Sequence, residues 1–140
     1  MSRQRTLEQK RAELAWDSVQ FIKRQPKDEV KKKYSGLAHK APADIQTNGL
    51  GQTLAFWRAK STPKKKGEES AENIAHREIL AHIRAFLNSE FSMHLSEEDI
   101  VEWIAKRSKT GEYRRATAEV IAFLVWLKRF AESDLSNLSS

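Results

Sequence analysis

Apolar residues recur along this chain at steps of three and four, the spacing that gathers side chains onto one face of an α-helix. From Thr6 to about Arg24, Leu7, Leu14, Phe21 and Ile22 fall on one side, and Thr6 offers the oxygen of an N-cap. Arg11 intrudes on that side, where it must find a carboxylate or lie at the rim with its stem against apolar neighbours; the rim is the expectation. Ala12, Trp16 and Val19 make a second apolar line, so this helix either sits centrally or turns one side to a partner. Pro26-Lys27-Asp28 stops it and starts another, predicted from Asp28 to about Ala38, with Val30, Tyr34, Leu37 and Ala38 inward. Lys31 and Lys32 then face away from the core, Lys33 lies nearer its boundary, and Gly36 weakens the helix near its end.

The stretch Ala41 to Arg58 reads as a helix, a sharp break and a second helix. Pro42 suits a first helical turn, and Asn48-Gly49 suits the left-handed residue that closes a helix. The next helix runs from Leu50 to about Lys60 with Leu50, Leu54, Phe56 and Trp57 as its apolar set. Gly51 stands at its start, where the N–H groups of Gly51 to Thr53 are able to face an anion; a tight interhelical corner is the plainer expectation.

Residues 61–72, centred on Lys64-Lys65-Lys66-Gly-Glu-Glu-Ser, form a charged linker expected to be mobile and able to close over a phosphate backbone. Ala71 to about Glu90 carries the clearest amphipathic pattern, in Ala75, Ile79, Leu80, Ile83, Phe86 and Leu87. Ser96-Glu-Glu-Asp reads as a capping box ahead of Ile100, Val101 and Ile104 rather than as a metal site, since no separate ligand cluster accompanies it. The last helix, Glu112 to Glu132, turns Tyr113, Ala116, Val120, Phe123, Leu124, Leu127 and Ala131 to the core. Its other side bears Arg115, Ala118, Ala122, Val125 and Arg129, small or apolar residues between arginines, read first as intrachain packing and second as a surface for a neighbouring subunit or RNA backbone. A frayed tail is expected over 133–140. With no strand signal and no internal repeat, the pattern predicts an all-α fold: one compact helical domain of about six helices over residues 1–140.

Composition narrows this further. At 140 residues and 39 % apolar content, the chain can bury a core without a staple. The absence of cysteine removes disulfides, thiolate zinc sites and cysteine nucleophiles, and fits a reducing compartment, with the cytoplasm as default. The longest apolar run, Val120 to Leu127, is too short to span a bilayer, and the N-terminus lacks the h-region of an export signal.

Net charge is +6, and it is unevenly placed. Residues 1–66 hold sixteen basic and six acidic groups, a balance of +10, whereas residues 67–140 hold nine and thirteen, a balance of −4. The basic half contains Lys31, Lys32, Lys33, Lys40, Arg58, Lys60, Lys64, Lys65 and Lys66, suited to neutralising phosphates. Each lysine run taken singly reads as a solvated face; together they point to a polyanion.

Catalytic chemistry is missing. The four histidines, His39, His76, His82 and His94, have no mutual spacing that puts two on one helical turn, and no phosphate-gripping loop, nucleophile elbow or dinucleotide fingerprint occurs. The chain reads as non-enzymatic, without cofactor or metal. Among the tryptophans, Trp57 beside Arg58 is the best placed for base stacking, although core packing is the simpler reading for it and for Trp16, Trp103 and Trp126.

Ile45 to Phe56, the opening Leu7-Glu-Gln-Lys-Arg-Ala, and the closing Tyr113-Arg-Arg-Ala-Thr and Trp126-Leu-Lys-Arg-Phe-Ala resemble the small subunit of the Cmr complex, the type III-B CRISPR effector. The resemblance implies a non-catalytic, all-helical subunit present in several copies, stacking beside guide RNA and target RNA in an antiviral ribonucleoprotein. It would contact RNA backbone through Lys31, Lys32, Lys40, Arg58, Lys60, Lys64, Lys65 and Lys66, leaving sequence choice to the guide. Trp16, Arg115, Ala122 and Arg129 are the candidates for contact with sister copies or other subunits. Two alternatives stand beside this: a protein-protein adaptor whose lysines only keep it soluble, and a helix-turn-helix DNA regulator, disfavoured because Leu54, Phe56 and Trp57 offer few base-reading groups.

Overall fold

Breaks at Pro26 and Gly49 mark off the first three helices. In the computed structural model, which describes residues 3–91 and 100–135 and side chains from Thr6 onward, α1 spans Arg3–Lys23, α2 Asp28–Asn48 and α3 Leu50–Lys60. Helix α4 spans Ala71–Glu90, the short α5 (Ile100–Glu102) runs into a π-helical turn at Trp103–Arg107, and α6 spans Thr110–Asp134. The fold is all-α and compact, with six helices and no strand among the described residues. The expected capping box at Ser96 lies outside them.

Helix α6 packs along α1 and α2, α2 lies against α4, and α4 also covers α3. One buried cluster runs through every helix, from Val19 and Ile22 through Tyr34, Ile45, Leu54 and Trp57 to Ile79, Phe86, Ile100, Trp103, Phe123 and Leu127. At its centre Phe86 and Phe123 stack with ring centroids 4.7 Å apart. The inward residues expected on the last helix, Ala116 through Ala131, are buried, with Tyr113 partly so.

Several expectations need correction. Helix α1 begins at Arg3, so Thr6 lies within it, and its inward face is Ala15, Ser18, Val19 and Ile22. Phe21 is 43 % exposed and Trp16 45 %. At 100° per residue, Leu14 and Phe21 stand about 100° or more from the line of Ala15, Val19 and Ile22.

Helix α2 does not break near Lys40: one helix carries Pro42 in its interior. Val30, Tyr34, Ala38, Ala41 and Ile45 form one unbroken buried stripe at four- and three-residue steps. Burial of that stripe outweighs the penalty of roughly 3 kcal/mol for an interior proline. The same geometry reverses two lysines. Lys31 is half-buried, with Nζ 3.4 Å from Asp28 Oδ1, while Lys33 is exposed.

Phe56, expected inward on α3, is 59 % exposed, and Thr53 takes a buried place beside Leu50, Leu54 and Trp57. At the C-terminus, α6 continues through Ser133 to Asp134 and Leu135 is buried, so fraying does not begin at 133; residues 136–140 lie outside the described residues.

Candidate nucleic-acid interface

Helix periodicity sets out the first group of basic residues. Lys33 and Lys40, seven residues apart, share one exposed row of α2 that continues to Thr47, with Lys32 exposed beside it. This row leads to the corner between α2 and α3, where Gly49 takes φ of +87° and donates its N–H to Ile45 O at 2.8 Å.

The corner is pinned from both sides. Gly51 N–H donates to Tyr113 Oη at 3.0 Å, Thr53 N–H to Gly49 O at 3.2 Å, and the Thr53 hydroxyl to Asp44 O at 3.2 Å. With the Gly51 and Thr53 amides engaged, the corner serves packing, and the anion-binding expectation falls.

Beside it lies a groove of about 630 Å³ lined by Asp44, Thr47, Asn48, Gln52, Thr53, Phe56 and Trp57. Of its two aromatic residues, Trp57 is only 2 % exposed, so it is core, as the simpler reading had it, and its neighbour Phe56 presents the ring. The signal was available: at 100° per residue Phe56 stands about 120° from the line of Leu50, Leu54 and Trp57.

Lys60 Nζ lies 5.5 Å from the centroid of Phe56, within cation–π range. Lys60 also lines a second groove, of about 440 Å³, with Lys64, Lys65, Glu68, Ser70, Glu72 and Asn73. Phe56 and Lys60 thus link the α2 corner to the loop lysines. Glu72 Oε1, 3.9 Å from Lys60 Nζ, and Glu68 offset part of the positive charge there. Arg58 and Lys66 are exposed on α3 and on the loop.

The end of that loop is tied to its start. Ser70 and Asn73 form a reciprocal capping box on α4, with Asn73 N–H donating to Ser70 Oγ at 3.1 Å and Ser70 N–H to Asn73 Oδ1 at 2.9 Å. The Asn73 amide nitrogen donates to Lys60 O at 2.7 Å, and an ion pair joins Arg77 to Glu69.

The expected partner-contact residues lie on other faces. Trp16 meets Phe130 edge-on at 5.3 Å, and Phe130 stacks on Trp126 at 5.5 Å. The Arg115 guanidinium sits 4.3 Å from the centroid of Phe91, and Arg129 Nη1 is 3.7 Å from Glu132 Oε2. Ala122 is half-buried, but Ala118 is exposed and Val125 is 42 % exposed, so their stripe is not packed within the chain as first read.

Arg11 does find a carboxylate, donating from Nε and Nη2 to Glu119 at 2.9 to 3.0 Å. His76 Nδ1 is 2.8 Å from Glu72 O, His39 Nδ1 is 3.5 Å from Glu132 Oε1, and His94 lies outside the described residues. His82 Nδ1 lies 2.7 Å from the buried Tyr34 hydroxyl, and burial lowers His82 to a pKa of about 4. Burial likewise holds Tyr34 well above its usual value, so the pair is a hydrogen bond between a neutral phenol and a neutral imidazole. Among the described residues, no group of three or more His, Asp and Glu side chains is placed to hold a metal ion, and no helix is long and apolar enough to cross a membrane.

An all-helical bundle with a lysine-bearing surface is the class these features define. Residues 7–134 match the family model of the CRISPR-associated protein Cas_Cmr5, and the chain belongs to that family. It is similar to the CRISPR system Cmr subunit Cmr5 of Thermus thermophilus, with 29 % identity over 131 residues, covering 92 % of this chain and 96 % of the relative. The crystal structure of a CRISPR-associated Cmr5 family protein from Thermus thermophilus has the same fold, with a TM-score of 0.66 at 23 % identity over 91 % of this chain and 96 % of the other. Membership of that family supports the role of a small subunit of the Cmr complex.

Proposed function

We propose that this subunit stacks along the guide within its ribonucleoprotein and holds target RNA by its backbone, through Lys32, Lys33, Lys40, Arg58 and Lys60 with Lys64, Lys65 and Lys66. The observation that carries the reading is the charge division, +10 in residues 1–66 against −4 in the remainder, with those basic residues exposed on α2, α3 and the following loop. Lys31, paired with Asp28, contributes less than it would as a solvent-facing lysine. Lysines without paired base-edge readers recognise phosphate and shape, so sequence selection rests with the guide. Weak contacts repeated by several copies along one strand sum to useful affinity. Trp16, Arg115, Ala122 and Arg129 would then meet sister copies or other subunits, in the cytoplasm.

Charge reversal at Lys32, Lys33, Lys40, Arg58 and Lys60 tests this in the assembled complex. Target-RNA affinity is expected to fall, and wild-type affinity to decline as salt rises. Undiminished binding by the reversed variant selects the adaptor reading instead, which the carboxylates of Glu68 and Glu72 among the loop lysines favour.

A further inference from the structure

Phe56 is the most exposed of the large apolar side chains described, and most of the residues that share its groove are polar. Asp44, Thr47, Asn48, Gln52 and Thr53 share its groove, the Lys60 ammonium sits over the ring, and the Lys33–Lys40 row of α2 runs toward the same corner. Alanines at 55 and 59 flank it on the helix, so no bulky neighbour at those positions covers the ring.

We infer that Phe56 is a stacking platform for an unpaired RNA base, with Lys60, Lys40 and Lys33 neutralising the phosphates on either side. The inference rests on the RNA-contacting reading above and adds to it the state of the strand. An aliphatic side chain from a protein partner would be poorly served here, because the groove walls would strip water from an aspartate, an asparagine and a glutamine without replacing it. A nucleobase brings a π-face for the ring and a polar edge for the Asn48 and Gln52 amides, which donate and accept alike and so do not select one base. The groove is preformed: buried Trp57 fixes α3 from below, and the bond from Thr53 to Asp44 O ties α3 to α2. Stacking in this setting needs a base outside a duplex.

The test uses the full chain with two probes at fixed low salt: a single-stranded RNA of about 12 nucleotides containing 2-aminopurine, and a perfect RNA duplex of the same length. Phe56→Leu is expected to weaken single-strand binding about ten-fold while leaving duplex binding within about two-fold. Phe56→Tyr should retain wild-type affinity, and the 2-aminopurine signal should change on binding wild type but not Phe56→Leu. Phe56 is exposed, so matching thermal melts should confirm that both variants fold. Unchanged single-strand affinity in Phe56→Leu, or equal loss on both RNAs, overturns the inference. The variant Lys33→Glu/Lys40→Glu separates the two levels. If it weakens both RNAs while Phe56→Leu weakens neither, stacking alone fails; if it weakens neither, the RNA-contacting reading fails with it.

Discussion

Tyr113, in the first turn of α6, accepts the Gly51 N–H on its phenol oxygen at 3.0 Å and so clamps the α2–α3 corner from 62 residues away. Helix α3 begins without a side-chain cap, and the phenol satisfies one of its orphan amides.

Removing that oxygen in Tyr113→Phe should lower stability by about 1 kcal/mol. Gly49→Ala should cost about 1–3 kcal/mol, because φ of +87° with ψ of 157° is a conformation essentially confined to glycine, while the nearest atom to a new Cβ, Tyr113 Oη, is 3.7 Å away. The strain is in the backbone, not in crowding. Gly51→Ala places its Cβ 3.4 Å from Ile104 Cγ2 and gains helix propensity, so it should be close to neutral. Urea midpoints should rank Gly51→Ala highest of the three variants, Tyr113→Phe next and Gly49→Ala lowest.

Arg11 and Glu119 join α1 to α6 through both carboxylate oxygens, and both side chains are partly buried. A forked, partly desolvated pair is stronger than a surface ion pair. A double-mutant cycle with Arg11→Met and Glu119→Gln should give a coupling of about 1.5 kcal/mol, read from denaturant melts. A coupling near zero would mean the pair only decorates the rim.

How far the fold was legible in the sequence follows from which forces were local. Periodicity found α4 and α6 with their core faces because each carries one broad stripe: Ala75, Ile79, Ile83, Phe86 and Leu87 in one, Ala116 through Ala131 in the other. It failed where two apolar lines compete on one helix. On α1, Leu14 and Phe21 outweigh Ala15 and Val19 in hydrophobicity, yet the smaller pair is fully buried while Phe21 is 43 % exposed. Phe56 and Trp57 posed the same problem side by side, and only the angular offset from Leu50 and Leu54 distinguishes core from surface. The partners of Arg11 and Gly51 lie 108 and 62 residues away and leave no local trace.

Pro42 offers a stabilising substitution. It sits mid-helix in α2, where it cannot donate to the Ala38 carbonyl. Pro42→Ala restores that bond, and although it also releases entropy to the unfolded chain, a net gain of about 1 kcal/mol is expected. The check is a rise in melting temperature with helical circular dichroism unchanged.

The Tyr34–His82 pair makes the bundle acid-sensitive. His82 titrates near 4 in the folded protein, against about 6.5 for an exposed histidine. Between those values the unfolded chain binds a proton that the folded one refuses, so stability falls as pH drops from about 6.5 to about 4 and levels off below. At about 1.36 kcal/mol per unit, His82 alone contributes a loss of at most about 3 kcal/mol. Glu78, which lines a surface groove together with His82, Phe21 and Leu14, opposes it: burial raises its pKa above 4.5 against the pull of Arg77, so acid favours the folded state through that group. Tyr34 acts only at the alkaline end, where the folded protein resists ionising a buried phenol and stability falls above about pH 10. Melts from about pH 7.5 to about 4 should therefore show a decline in wild type that is flattened in Tyr34→Phe/His82→Leu, which removes the titrating ring without leaving a buried hydroxyl unpaired. Equal slopes in the two proteins would place the acid sensitivity elsewhere.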